Sequence, residues 1–258
     1  MIHLVVGTPM YGGMCSSEYT ESLLALKEAC VVNGLKLTTI FTGNESLIQR
    51  ARNNIAHHFL NYPDATHLLF IDADQKFRVD DIVKMLKADK EIIAGPVPMK
   101  AINWNSVREA AKNNHPDLSR VTGHFNLNTL EGHKMQDGDT PFQVKHIGTG
   151  FMLIKREVFE NMKEKAGWYA ERKILTVAKP DKIYNFFKVE NVNNELLSED
   201  YFFCYAHRKL GGTVWAAPWC QIGHFGAYIF SGQYAYQNEV ENGASSNKVS
   251  IDSRRYSA

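Results

Sequence analysis

The chain has 258 residues, 44% of them hydrophobic and 22% charged, which suits a soluble globular protein with one large domain or two small ones. Lysine and arginine total 29 against 28 aspartates and glutamates, a net charge of +1. That balance removes any global drive toward nucleic acid or an anionic membrane, although a local basic groove stays open. No apolar run reaches the roughly 18 residues a membrane span needs. Met1–Gly7 reads as a strand and not as a signal peptide, so a cytoplasmic setting is expected. Cys15, Cys30, Cys204 and Cys220 show no close pairing, which argues for reduced thiols and against a zinc knuckle or a disulfide framework. Asn44-Glu45-Ser46 matches a glycosylation sequon by chance.

Taken in order, residues 2–7 form a first strand, followed by the loop Thr8-Pro9-Met10-Tyr11-Gly12-Gly13 at its carboxyl end. Open α/β sheets bind ligands at such ends, so Thr8 and Pro9 are expected to flank a planar base. Ser16 or Ser17 caps a helix that Asn33-Gly34 stops. Lys36–Thr42 is a second strand, and Ser46 begins a second helix with apolar residues at helical spacing through Leu60.

His67–Phe77 is the pivotal stretch. Leu68–Ile71 is an unbroken apolar run, as expected of a strand covered on both faces, and it ends in Asp72-Ala73-Asp74. In extended backbone the two carboxylates point the same way. Two buried carboxylates together are costly without a proton or cation between them, and oxygen ligands favour Mg2+ or Mn2+. The plainer reading is a solvated turn or a helix cap. Asp80 and Asp81 start a third helix, and Glu91–Gly95 makes a fourth strand. Strand and helix thus alternate through the first hundred residues, which predicts a parallel α/β sheet built of right-handed crossovers.

Residues 101–143 lose this periodicity and read as an excursion or lid, with a short helix over 107–112. Strands return at 144–147 and 151–154, around Gly148-Thr149-Gly150. That triplet is not a dinucleotide fingerprint, because it enters a strand and no glycine follows at the required place; it lets a ligand approach the backbone, Gly150 included. A helix over 157–163 follows, then a hairpin within 168–192 that includes the runs 174–177 and 184–189. Ser198-Glu199-Asp200 opens another helix, ended by Gly211-Gly212, and a strand at 213–216 precedes Gly223-His224-Phe225-Gly226. From about Gln233 the chain is polar. The expected organisation is a single domain over 1–230, with one half at 1–100 and a second at 101–230, and a polar tail at 231–258.

Several motifs stand in a definite order: Ile48-Gln49-Arg50-Ala51-Arg52-Asn53, Thr66 through Asp74, Ile92-Ile93-Ala94-Gly95-Pro96, Gly148–Ile154, Ser198–Phe203 and Gly223–Gly226. In that order they resemble the GT-A class of nucleotide-sugar glycosyltransferases, in particular viral and bacterial members, over residues 2–226. The resemblance implies a Rossmann-like, mostly parallel central sheet flanked by helices, with a smaller mixed acceptor-side region, and makes 1–100 the nucleotide-binding half and 101–230 the acceptor half. It implies that Asp74 is a metal ligand, that Asp72 serves the metal or the ribose, and that His224 completes the metal shell. It makes Asp200, with Glu199 second, the base that deprotonates the acceptor in an inverting reaction. It brings Arg52 and Asn53 to the nucleotide. The plainer readings are a helix-capping role for Glu199-Asp200, a structural role for His224 and a solvated helix face for Arg50 and Asn54.

The implied partners are a nucleoside-diphosphate sugar, UDP-sugars first, and an acceptor that is a glycan, a small molecule or modified DNA. A phage-type transferase acting on hydroxymethylated DNA bases and a non-catalytic sugar-nucleotide-binding module are the alternatives. Were the source viral, host cytoplasm would be the setting. Lys100, Trp104 and Trp219 are candidates to line the acceptor site, with ordinary packing the commoner fate of a tryptophan. A nucleotidyltransferase would carry a basic glycine-rich loop after the first strand; here Gly12-Gly13 runs into Met14-Cys15 without a nearby cation.

Overall fold

The computed structural model describes residues 1–132, 138–171 and 181–227. The expected strand run at 174–177 and the polar tail lie outside these residues. Met1–Phe225 form one unit.

The amino-terminal part follows the expected alternation: β1 (His3–Met10), α1 (Ser17–Val32), β2 (Lys36–Gly43), α2 (Ile48–Leu60), β3 (His67–Ile71), β4 (Gln75–Lys76), α3 (Val79–Ala88) and β5 (Ile92–Ala94). Within the excursion lie α4 (Trp104–Lys112), longer than the expected helix, and β6 (Leu127–Thr129). Then come β7 (Phe142–Ile147), β8 (Phe151–Lys155) and α5 (Arg156–Ala166). The hairpin of β9 (Trp168–Ala170) and β10 (Lys182–Tyr184) is followed by a second, unexpected one, β11 (Glu190–Val192) with β12 (Glu195–Leu197). The chain closes with α6 (Glu199–Lys209), β13 (Val214–Ala216) and β14 (Gly223–His224).

The central sheet has eight strands in the order β2-β1-β3-β8-β5-β13-β7-β6. Strands β1, β2 and β3 pair in parallel, as do β5 and β13. Strand β8 enters between β3 and β5 and runs antiparallel to both, so those two strands are not neighbours as simple alternation would have them. Strand β7 is the other reversed strand. The remaining six run one way, which gives the sheet its mostly parallel character.

Side chains alternate across the sheet because the strand repeat is two residues. Leu68 and Phe70 of β3 pack with Ile55 and Phe59 of α2, Phe159 of α5 and Phe203 of α6. Leu69 and Ile71 face the opposite way, toward Tyr19 and Leu26 of α1 and Ile82 and Met85 of α3. Both faces are therefore covered, as the unbroken apolar run required, and β3 ends at the centre of one sheet edge. Helix α2 departs from the expected start: its cap residue is Leu47, and Glu45, not Ser46, accepts from the Leu47 N–H at 3.0 Å. Glu45 also grips Arg50 through two hydrogen bonds, so Arg50 is an ion-pair partner and not a purely solvated residue. Asn54, likewise expected to be solvated, donates to Glu171 at 2.9 Å.

Candidate functional site

Beyond Ile71 the chain leaves the extended conformation and turns, and four backbone hydrogen bonds fix that turn. Asp72 N–H donates to the Gly150 carbonyl at 2.9 Å, and Gln75 N–H to the Asp72 carbonyl at 3.2 Å. Ser16 N–H, at the start of α1, donates to Ala73 at 2.8 Å, and Phe225 N–H donates to Asp74 at 2.7 Å. Three distant segments thus hold one tripeptide. The last of them arrives because β14 pairs with β4, bringing His224 opposite Gln75. That two-stranded ribbon was not expected from the sequence.

The turn also separates the partners of the two aspartates, which extended backbone would have aimed the same way. Asp72 Oδ1 lies 3.2 Å from Arg52 Nη2. Asp74 Oδ2 lies 2.5 Å from Lys100 Nζ, and its Oδ1 lies 3.5 Å from His224 Nε2. Burial alone would raise the Asp74 pKa, but His224 and Lys100 outweigh it and hold the carboxyl at about 2. Hydrogen bonding to Asp74 pushes the His224 pKa up.

Both aspartates line a cleft of about 550 Å³ with Pro9, Tyr11, Met14, Ser16, Glu45 and His224 among its walls. The cleft sits at the carboxyl ends of β1 and β3. Tyr11, Met14 and Phe225 remain strongly exposed there, although large apolar groups normally turn inward. Sequence reasoning missed these three, and the only signal for Tyr11 was its place after the first strand.

The expected nucleotide-side residues separate. Pro9 is on the cleft wall. Thr8 is fully buried and shares a 2.6 Å hydrogen bond with the Tyr19 hydroxyl. Asn53 is buried in α2 and clamps the backbone of Phe187 with bonds of 2.8 and 2.9 Å. Arg52 is buried too. Its Nε donates to Glu199 Oε1 at 3.3 Å while its Nη2 reaches Asp72, and its guanidinium carbon lies 5.4 Å from the centre of the Phe70 ring. Arg52 therefore joins the start of α6 to the Asp72 turn.

At α6 the two adjacent carboxylates have different surroundings. Burial raises the pKa of Glu199 against the pull of Arg52. Asp200 Oδ1 accepts from the Ser198 hydroxyl and from the adjacent Tyr201 N–H at 2.8 Å; the cap residue of α6 is Ser198, and no side chain caps the helix, contrary to the capping role expected of the acid pair. Its Oδ2 is left over. Gly148 and Gly150 lie between the two acid groups. A methyl group at Gly148 would be 3.7 Å from Asp200 Oδ2, and one at Gly150 would be 2.9 Å from Asp72 Oδ2. Beside Gly150, the buried Gln75 amide has no hydrogen-bond partner among the described residues, nor has the Thr149 hydroxyl next to it in the chain.

Among the described residues no three His, Cys, Asp or Glu side chains gather at metal-ligand spacing. The donor chemistry of Asp74 and His224 nevertheless fits a cation held partly by the protein. His224 Nδ1–H donates to the Pro98 carbonyl at 2.7 Å, so in neutral imidazole the Nε2 lone pair faces Asp74 Oδ1. Two acceptors 3.5 Å apart require a proton or a cation between them. Trp104 is exposed on α4, and Trp219 lines a separate groove of about 760 Å³ with Arg78, Lys84 and Arg120; neither belongs to the cleft wall.

No protein-family model matches the chain. None of the curated proteins matches it either. Among solved structures, A197 from STIV superposes with a TM-score of 0.50 at 16% identity, covering 88% of this chain and 87% of that one. The likeness is one of fold. A glycosyltransferase involved in the glycosylation of the major capsid of PBCV-1 aligns at a TM-score of 0.31 and 8% identity, over 61% of this chain and 62% of that chain. TarS 1–349 from S. aureus aligns at 0.36 and 10%, over 84% and 60%. No helix among the described residues is long and apolar enough to cross a membrane.

Proposed function

We propose that the protein is a metal-dependent glycosyltransferase of the GT-A class, moving a sugar from a nucleoside diphosphate donor to an acceptor hydroxyl with inversion. The observation that carries this reading is the convergence on one sheet edge of the Asp72–Asp74 turn, His224 and Asp200. Asp74, just beyond β3, meets His224 of β14, and Asp200 of α6 stands against Gly148 in the same loop whose Gly150 adjoins Asp72.

In this reading the base of the donor, a UDP-sugar first, lies in the cleft against Tyr11 and Pro9, where exposed apolar surface suits a planar ring. Asp74 and His224 would hold Mn2+ or Mg2+, with the diphosphate and water completing the shell. Such an ion draws off the negative charge that grows on the departing diphosphate. Lys100, 2.5 Å from Asp74, adds a positive charge at the same place. Asp72 and Gly150 face the sugar and ribose side. Because Arg52 occupies Glu199, the base is Asp200, whose Oδ2 has no hydrogen-bond partner among the described residues. A glycan, a small molecule and modified DNA are the acceptor classes to try.

The test is a melting-temperature panel of UDP-, GDP- and dTDP-sugars with and without Mn2+, followed by turnover of whichever donor stabilises the chain. Turnover should require Mn2+ or Mg2+ and vanish in Asp74→Ala. Wild-type rates in that variant would refute the reading. A binding module without catalysis would show the melting shift and no turnover.

A further inference from the structure

The excursion between β5 and β7 is pinned by its own backbone. Its backbone folds back on itself: Met99 N–H donates to the His124 carbonyl at 2.7 Å, and Asn103 N–H to Thr122 at 2.8 Å. Pro98 and Phe125 form an antiparallel bridge. These contacts place the next residue, Asn126, against Gly148, whose N–H donates to the Asn126 carbonyl at 3.1 Å. Asn126 is exposed, in a segment whose sequence showed no periodicity.

Its side chain has a defined orientation. Tyr201, next to Asp200, donates its hydroxyl to Asn126 Oδ1. The Tyr201 ring is held in turn by stacking on buried His146, with ring centres 4.9 Å apart. With Oδ1 committed, the amide Nδ2 is left as a donor. A methyl group built on Gly148 would lie 3.4 Å from this Nδ2 and 3.7 Å from Asp200 Oδ2. One small volume over Gly148 therefore lies within reach of both a hydrogen-bond donor and the remaining carboxylate oxygen of Asp200, and it is open because residue 148 has no side chain.

We infer that Asn126 Nδ2 and Asp200 Oδ2 form a two-point clamp for the acceptor hydroxyl over Gly148. A hydroxyl oxygen there accepts from Asn126 and points its own hydrogen at Asp200, which matches the two capacities of an alcohol. This inference rests on the transferase reading and deepens it. In the reaction the acceptor O–H proton passes to Asp200 Oδ2 and the oxygen forms the new bond to the anomeric carbon. The bond from that carbon to the diphosphate oxygen breaks, and its electron pair leaves with the diphosphate. Asn126 is a positioning residue: it fixes which lone pair of the acceptor oxygen faces the donor. A molecule with a carbon at that point has nothing for either partner, so the clamp selects alcohols, sugars among them.

The test uses the full chain, the donor that raises its melting temperature, and glycerol, glucose and methyl glycosides as acceptor probes. Asn126→Ala should raise the acceptor KM about 10-fold or more, the usual scale for one lost hydrogen bond to a bound polar group. The donor KM should stay put, because Asn126 is not one of the residues that line the cleft. Tyr201→Phe should show the same acceptor-selective effect at smaller size, since it only frees the Asn126 amide to rotate. Exposed Asn128, two residues on, is the control, and Asn128→Ala should behave as wild type. An unmoved acceptor KM in Asn126→Ala overturns the clamp while leaving the transferase reading intact. Absence of transfer by the wild-type chain to every probe and to water overturns both.

Discussion

Arg52 and Glu199 are 147 residues apart in the chain and form a hydrogen-bonded ion pair at 3.3 Å, with side-chain exposures of 5% and 13%. The same guanidinium reaches Asp72 at 3.2 Å. Removing one partner of a buried pair leaves an uncompensated charge, at a cost of about 3 kcal/mol. Arg52→Met is therefore expected to lower the urea midpoint and to reduce turnover, because Asp72 and the start of α6 lose their common brace. Arg52→Lys should recover little, since an ammonium cannot span both carboxylates as the fork does. Equilibrium unfolding of the three proteins checks this, and a stability for Arg52→Met within 1 kcal/mol of wild type, roughly the value of an exposed pair, would count against a brace.

Asp74→Asn keeps the shape of the side chain and removes its charge. Wild type is expected to gain melting temperature when Mn2+ is added with a nucleoside diphosphate, and Asp74→Asn to lose most of that gain. His224→Ala should fall between them, because it removes one neutral ligand while the carboxylate stays. Differential scanning fluorimetry over a Mn2+ series measures all three. An undiminished Mn2+ response in Asp74→Asn would place the cation elsewhere.

How much of this was legible in the sequence depends on the range of the interactions involved. The buried run of β3, the start of α6 at Ser198 and the stop at Asn33-Gly34 follow from local patterns, and the structure has all three. The insertion of β8 between β3 and β5 leaves no local trace, because a strand's periodicity says which faces are buried and not which neighbour it chooses. The resemblance expects Arg52 at the nucleotide; its partners at 72 and 199 become visible only in three dimensions. Asn126 had no signal at all, being one asparagine in a polar stretch, and the Tyr201 and Gly148 contacts that orient it are long-range.

Gly150 lets the turn and the β8 strand meet. A methyl group there would overlap the Gln75 amide nitrogen and lie 2.9 Å from Asp72 Oδ2, closer than such contacts allow. Gln75 is fully buried and cannot swing out freely. Gly150→Ala is thus expected to cost roughly 1–3 kcal/mol through overpacking and to shift Asp72, with loss of donor-induced stabilisation. Gly148→Ala meets only contacts of 3.4 Å and beyond, so it should fold with near wild-type stability and yet reject the acceptor. Urea unfolding of the pair separates the two effects. Equal destabilisation by both would mean that the loop responds to any added methyl group and not to the specific crowding at Gly150.

His146 supplies one part of the pH dependence, beside His67 and His207, whose pKa values burial also lowers. Its ring is 1% exposed and neither nitrogen finds a hydrogen-bond partner among the described residues. Burial first, then the positive charges of Lys145 and Arg208, push its pKa down from 6.5 to about 4. The folded chain therefore resists a proton that the unfolded chain accepts. Above pH 6.5 both states are neutral and the full stability is present; between 6.5 and 4 the unfolded state binds the extra proton and stability falls. The full span is on the order of 3 kcal/mol. Carboxylates titrate in the same range, so the comparison that isolates the histidine is His146→Phe, which keeps an aromatic ring against Tyr201. Plotted against pH, the stability difference between wild type and variant should be flat above 7 and move in favour of the variant as pH drops toward 4. A difference that stays constant down to pH 4 would mean that the ring acquires a partner for its proton in the folded state.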